Sequence, residues 1–136
     1  MYARIFSPFL LLSVLFLSSS CQEKKADFFE RDAREYTEKY CPKQCDDVTR
    51  LDSIVFEKTG EMGTLKQYIT LTLTKDEREK VMNQLDKLMD MNLRDVRNSV
   101  TLAKHKEVGV NFCYIYFDEN TGDKIAEYTF TPEDYQ

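Results

Sequence analysis

Few residues in this 136-residue chain are equipped for chemistry: four cysteines (Cys21, Cys41, Cys45 and Cys113), one histidine (His105), and carboxylates in excess of bases, 24 to 19. A cysteine becomes a nucleophile or redox centre when its thiolate is favoured, as in motifs with two residues between the sulfurs. "CPKQC", Cys41 to Cys45, has three between them. Zinc held by Cys41, Cys45, Cys113 and His105 would lack the second closely spaced ligand pair of a structural zinc site. His105 lies in the charged run "AKHKE" near a predicted helix end, where a solvated or capping imidazole is expected. Asp46–Asp47 and Asp118–Glu119 fall in predicted turns, and "DENTGD" has too few suitably spaced oxygens for a calcium loop. A nucleophile elbow and a glycine-rich phosphate loop are both missing. The residues therefore predict a protein that is not an enzyme, with no catalytic residue, no metal ligand and no cofactor.

Cys21 asks a different question. Arg4 is the only charge before Glu23, and Ile5 to Leu17 is almost wholly apolar, interrupted by Ser7, Pro8 and Ser13. That length suits the core of an export signal and falls short of the roughly 18 residues a bilayer span needs. Ser18 and Ser20 supply the small residues that either an ordinary signal peptidase or a lipoprotein signal peptidase requires before Cys21, so ordinary secretion stays open beside lipidation. The stretch "LFLSSSC" resembles a bacterial lipobox of the looser kind familiar among Bacteroidota, with Leu17 one place further out than usual. The resemblance implies cleavage before Cys21 and acylation of its thiol and amino group, palmitate among the acyl chains. Several chains on one residue hold a protein stably on a membrane where a single chain does not. The expected division is a lipoprotein signal peptide over residues 1–20, a flexible tether over 21–26 ("CQEKKA"), and one domain over 27–136.

Cleavage leaves 116 residues, enough for one core. Losing Arg4 leaves 18 bases against 24 acids, a net charge of −6. The bases are spread along the chain, so nucleic acid is not an expected partner, and neither is an anionic lipid surface beyond the anchor itself. With Cys21 assigned to the lipid, an odd number of thiols meets an oxidising compartment. Two readings of Cys41 and Cys45 stay open, a small local bridge or unpaired thiols, with Cys113 buried on a strand as a small apolar residue.

The elements that must position these residues follow from periodicity. Phe29, Ala33, Tyr36 and Tyr40 form one stripe on a helix from Glu23 to Tyr40, which Pro42 ends. Thr49–Glu57 reads as a strand, "KTGEMG" as its turn, and Leu65, Ile69, Leu71 and Leu73 as the buried side of a second strand. Thr74 and Glu77 stand at capping-box spacing before Val81, Leu85 and Leu88, a helix expected to break near Met91 to Leu93. A short helix carrying Val96, Val100 and Ala103 ends before Gly109. "EVGVNFCYIYF" and "DKIAEYTF" flank a "DENTG" turn as a second hairpin. The expected fold is a two-layer α+β domain, helices on one face of four antiparallel strands in two hairpins.

"NLRDVRNS", then "EVGVNFCYIYFDENTGDKIAEYTFTPEDY", with "DDVTRLDSIVFE" earlier, is similar to a group of small exported bacterial proteins of uncharacterised function. Their second half carries a "GVxxxYxYxDxxGxxI" hairpin and ends in "TPxDC". The resemblance implies the fold and the export and carries no activity. The group places one cysteine after the helical stretch and another at the C-terminus; Ser99 or Val100 and Tyr135 stand there instead, which removes the disulfide the group would imply.

Three functional readings follow. The first is a membrane-anchored binding or accessory domain of the cell envelope, an outer-membrane lipoprotein, offering an open sheet face with Tyr68, Tyr114, Tyr116 and Tyr128 to a protein or glycan; aromatics with polar tips are favoured at interfaces. The second is an immunity or inhibitor lipoprotein that meets a toxin. The third is a thiol–disulfide protein using Cys41 and Cys45.

Overall fold

A computed structural model describes the backbone of residues 9–136 and the side chains of residues 24–136. The side chains of the expected signal peptide, residues 1–20, and of Cys21 lie outside the described residues. Among the described residues five helices, α1 (Phe9–Tyr40), α2 (Lys75–Met82), α3 (Leu85–Asn98), α4 (Ala103–Glu107) and α5 (Pro132–Tyr135), accompany five strands. The strands are β1 (Lys43–Gln44), β2 (Thr49–Glu57), β3 (Thr64–Leu71), β4 (Asn111–Asp118) and β5 (Lys124–Phe130). The segment expected as a tether, 21–26, falls within the span of α1, and Ala26 is already buried. Among the described residues no helix is long and apolar enough to cross a membrane.

The sheet corrects the four antiparallel strands expected. It has five strands in the order β1-β2-β3-β4-β5, and β3 pairs with β4 in parallel. The cause is the connection: between Leu71 and Asn111 three helices carry the chain back to the end where β3 began. A return of that kind yields a parallel neighbour, whereas a tight hairpin yields an antiparallel one. Both hairpins were legible and form as read, β2 with β3 and β4 with β5. The two-residue β1, which is too short to show periodicity, pairs with β2. Gly63 closes the β2–β3 loop at φ +113°, and a Cβ there would lie 2.6 Å from the Phe56 ring.

Helix α1 lays Ala26, Phe29 and Ala33 on the sheet, with Phe29 5.6 Å from Phe56 between ring centroids, while Tyr40 at the end of the expected stripe is 49% exposed. The capping box forms: the Glu77 amide donates to Thr74 Oγ1 at 3.3 Å and the Thr74 amide to Glu77 Oε2 at 2.8 Å. The break expected at Met91–Leu93 lies earlier, at Asn83–Gln84, and α3 runs unbroken to Asn98. Val100, expected on a helix, stands between α3 and α4 and is 86% exposed. The closing "TPEDYQ" folds into α5, capped by Thr131 and Asp134. Tyr135 is buried against Phe112, its hydroxyl donating to the Val110 carbonyl at 2.9 Å, and Arg97 donates to the Asp134 carbonyl. Packing and hydrogen bonds thus tie this end to α3 and β4.

Candidate binding groove

Strand alternation sorts the side chains onto two faces. The pairs Leu65–Phe112, Gln67–Tyr114 and Ile69–Tyr116 lie on the face that meets the helices; Lys66–Cys113, Tyr68–Ile115 and Thr70–Phe117 lie on the other. Tyr128 sits opposite Tyr114 on the helical face. The four tyrosines expected on one open face are therefore split: Tyr68 alone is on the uncovered side. Tyr114 and Tyr116 are buried, and Tyr116 and Tyr128 hydrogen-bond to the helices. Tyr116 donates to Asn92 Oδ1 at 2.9 Å, and Tyr128 to the Leu85 carbonyl at 2.8 Å. Burial pushes all three phenols of the helical face up, Tyr116 to about 12, so they stay protonated.

Helices α1 and α3 do not close over the middle of that face. Two cavities of about 380 and 560 Å³ open there and share Asp95 and Tyr114 in their linings; α1 lines the smaller one, and α2, α3 and the segment from Asp46 to Thr49 line the larger. Leu51, Leu65, Ile69 and Leu71 make the floor. Tyr36 and Ala33 of α1 line the smaller cavity, and Val81 of α2 with Leu88 and Met91 of α3 line the larger. Tyr36, Ile54, Val81 and Leu88 are half-buried and Met91 is 48% exposed. The rim carries Asp32, Asp46 and Asp95 with Lys80 and Lys87. From Leu65 to Leu71 the floor extends about 20 Å at the rise of a strand. Together they make an apolar trough with a charged rim, and sequence reasoning missed it because its lining comes from elements far apart in the chain.

Two polar atoms in the trough have no partner among the described residues: Asn92 Nδ2 and His105 Nδ1. Buried polar groups are seldom left so. The third such atom, Arg78 Nε, stands 2.8 Å from the buried carboxylate of Asp118 and is compensated by charge. His105, expected as a solvated or capping residue, is half-buried. It stacks on Phe29 with centroids 4.2 Å apart, and burial holds its pKa below the ordinary histidine value.

The remaining candidates are dispersed. Cys41, Cys45 and Cys113 are free thiols, half-buried, exposed and buried respectively. Burial raises the pKa of Cys41 and of Cys113, which leaves both less nucleophilic. Among the described residues no three His, Cys, Asp or Glu side chains gather as metal ligands would.

A family model for a domain of unknown function, DUF8479, matches residues 24–126. The chain belongs to the DUF8479 family. No curated protein matches it in sequence. Among solved structures it is similar to a candidate secreted protein of Pseudomonas aeruginosa, with a TM-score of 0.68 and 13% identity over 85% of this chain and 96% of that one. It is also similar to EpsS, the pilotin of the Vibrio vulnificus type 2 secretion system, with a TM-score of 0.62 and 9% identity over 86% and 97%. At these identities the likeness is one of fold.

Proposed function

We propose that this protein is a non-enzymatic accessory lipoprotein of the cell envelope, held on the outer membrane by acylated Cys21, whose trough binds an apolar helical segment of another envelope protein. The trough carries the reading. Strand β3, which carries Leu65, Ile69 and Leu71 of the floor, is hydrogen-bonded on both sides, to β2 and β4, so it has no backbone groups to offer an added strand; a helix, which satisfies its own backbone, suits such an apolar bed. A helix of about 13 residues matches the floor's length. The unpartnered Asn92 and His105 atoms supply polar contacts that an occupant would complete. The pilotin's fold, in a protein of a secretion system, supports an envelope accessory role, and the lipobox-like stretch supports the anchor.

Two measurements test it. Intact mass of the native protein gives the anchor: a chain beginning at Cys21 with a lipid-sized increment is expected, and a bare chain rejects it. For the trough, a photo-crosslinking amino acid replaces Met91 or Leu88 in the full-length protein in its own cells, with Val55 on the other sheet face as the control. One envelope protein captured from the trough positions and absent from the Val55 position is expected. Capture equally from both faces, or from neither, removes the groove as the binding site.

A further inference from the structure

The fold gathers charges that are scattered in the sequence. Lys24 and Lys25 of α1 and Lys104 of α4, 79 residues further on, line one shallow cavity of about 370 Å³ with Phe28, Phe29 and Val108. Glu107 is the one carboxylate lining it. Phe28 is 43% exposed, and the Arg31 guanidinium lies 5.6 Å from its ring centre. The nearby acids Asp27 and Glu30 are both engaged by Lys58. In the register of α1, positions 21, 24, 25 and 28 are spaced by three, four and seven residues, one stripe of the helix. Lys24 is about 4.5 Å along the axis from position 21.

We propose that this basic and aromatic patch is the membrane-facing surface of the domain: its lysines meet anionic phospholipid headgroups and Phe28 enters the interface. The inference rests on acylation of Cys21, which fixes the bilayer within one helical turn of the patch. A lipid anchor alone leaves a domain free to tumble. Lysines keep their heads at the headgroups while their stems lie along apolar surface, and a ring beside them sinks to the acyl boundary. A domain seated this way has one orientation on the membrane.

The chain contains no tryptophan, so Phe28→Trp makes a lone reporter in the mature lipidated protein. On phosphatidylglycerol liposomes the expected result is emission at shorter wavelength than in detergent and quenching by lipids brominated near the top of the chain. Val55→Trp on the far sheet face is expected to show neither. Combining Phe28→Trp with Lys24→Glu, Lys25→Glu and Lys104→Glu, or using uncharged liposomes, should abolish the quenching; Lys104→Glu alone, on a different element, should weaken it. Quenching equal at positions 28 and 55, or absent at 28 while intact mass shows the lipid on Cys21, overturns the proposal. If intact mass shows no lipid, the anchor reading fails by itself. The patch then stands only if that same unlipidated protein cosediments with phosphatidylglycerol vesicles and not with uncharged ones, each lysine contributing roughly fivefold; failure to cosediment overturns it.

Discussion

The two faces of the sheet use the same residue types in opposite ways. On the helical face the tyrosines point their hydroxyls at the helices and lock them, as Tyr116 does with Asn92 and Tyr128 with the Leu85 carbonyl. On the other face no described helix lies over the strands, yet Cys113 is 2% and Ile115 5% exposed. Their cover is a lattice of long side chains: Lys66 paired with Glu57, Lys124 with Glu127, and Arg50 with both Asp52 and Glu119. One face is held by buried, specific hydrogen bonds and the other by exposed ion pairs. Deletions should therefore cost much on the first and little on the second.

The largest contrast comes from removing one hydroxyl on each face. Tyr116→Phe strips Asn92 of its partner while the amide stays buried, leaving it wholly unsatisfied. The expected loss is about 1–3 kcal/mol in urea unfolding. Tyr68→Phe, half-exposed on the other face, should change stability by no more than about 0.5 kcal/mol. Equal losses would mean that the tyrosines of the two faces do the same work.

Much of this was readable beforehand, and the boundary has a physical cause. Strand β2, the capping box at Thr74 and the turn at Gly122 rest on neighbours within a few residues, where alternation and capping chemistry leave a clear mark. The parallel β3–β4 pairing, the split of the tyrosines and the trough depend on how elements far apart in the chain meet. Alternation does separate Tyr68 from its neighbours Gln67 and Ile69, but it cannot say which side the helices will cover. The same limit hid the basic patch, because the charges of "QEKKAD" and "AKHKE" look dispersed until α4 is placed beside α1. His105 departs from expectation for a related reason: its charged neighbours along α4 imply water, while Phe29 of α1 supplies the stack.

A smaller effect should appear at His105. Its folded pKa lies below the ordinary histidine value because burial disfavours the imidazolium, with Asp32 opposing. Between the two values the unfolded chain binds more protons than the folded one, so stability rises with pH there. The contribution is full above the unfolded pKa near 6.5, is lost as pH falls below it, and is gone once pH drops under the folded value. His105→Phe keeps an aromatic ring against Phe29 and cannot titrate. Its unfolding midpoint should therefore fall less than that of the natural protein between pH 7 and pH 5. Parallel losses in the two proteins would assign the acid sensitivity to the carboxylates instead.

The smallest expected change in stability tests the lattice. Lys66 pairs with Glu57 at 2.8 Å, with side-chain exposures of 24% and 40%. Partly exposed pairs of this kind contribute about 0–1 kcal/mol, so Lys66→Ala should hardly move the unfolding midpoint. Its consequence should lie in access. Lys66 sits directly opposite Cys113 in the β3–β4 register, and its stem helps keep that thiol from solvent. In the natural protein, alkylation followed by mass spectrometry should label exposed Cys45 first and Cys113 last. In Lys66→Ala, Cys113 should label faster while stability stays nearly constant. A Cys113 rate that follows global unfolding in both proteins would show that the strands themselves shield the thiol, and the uncovered face would then need no lattice.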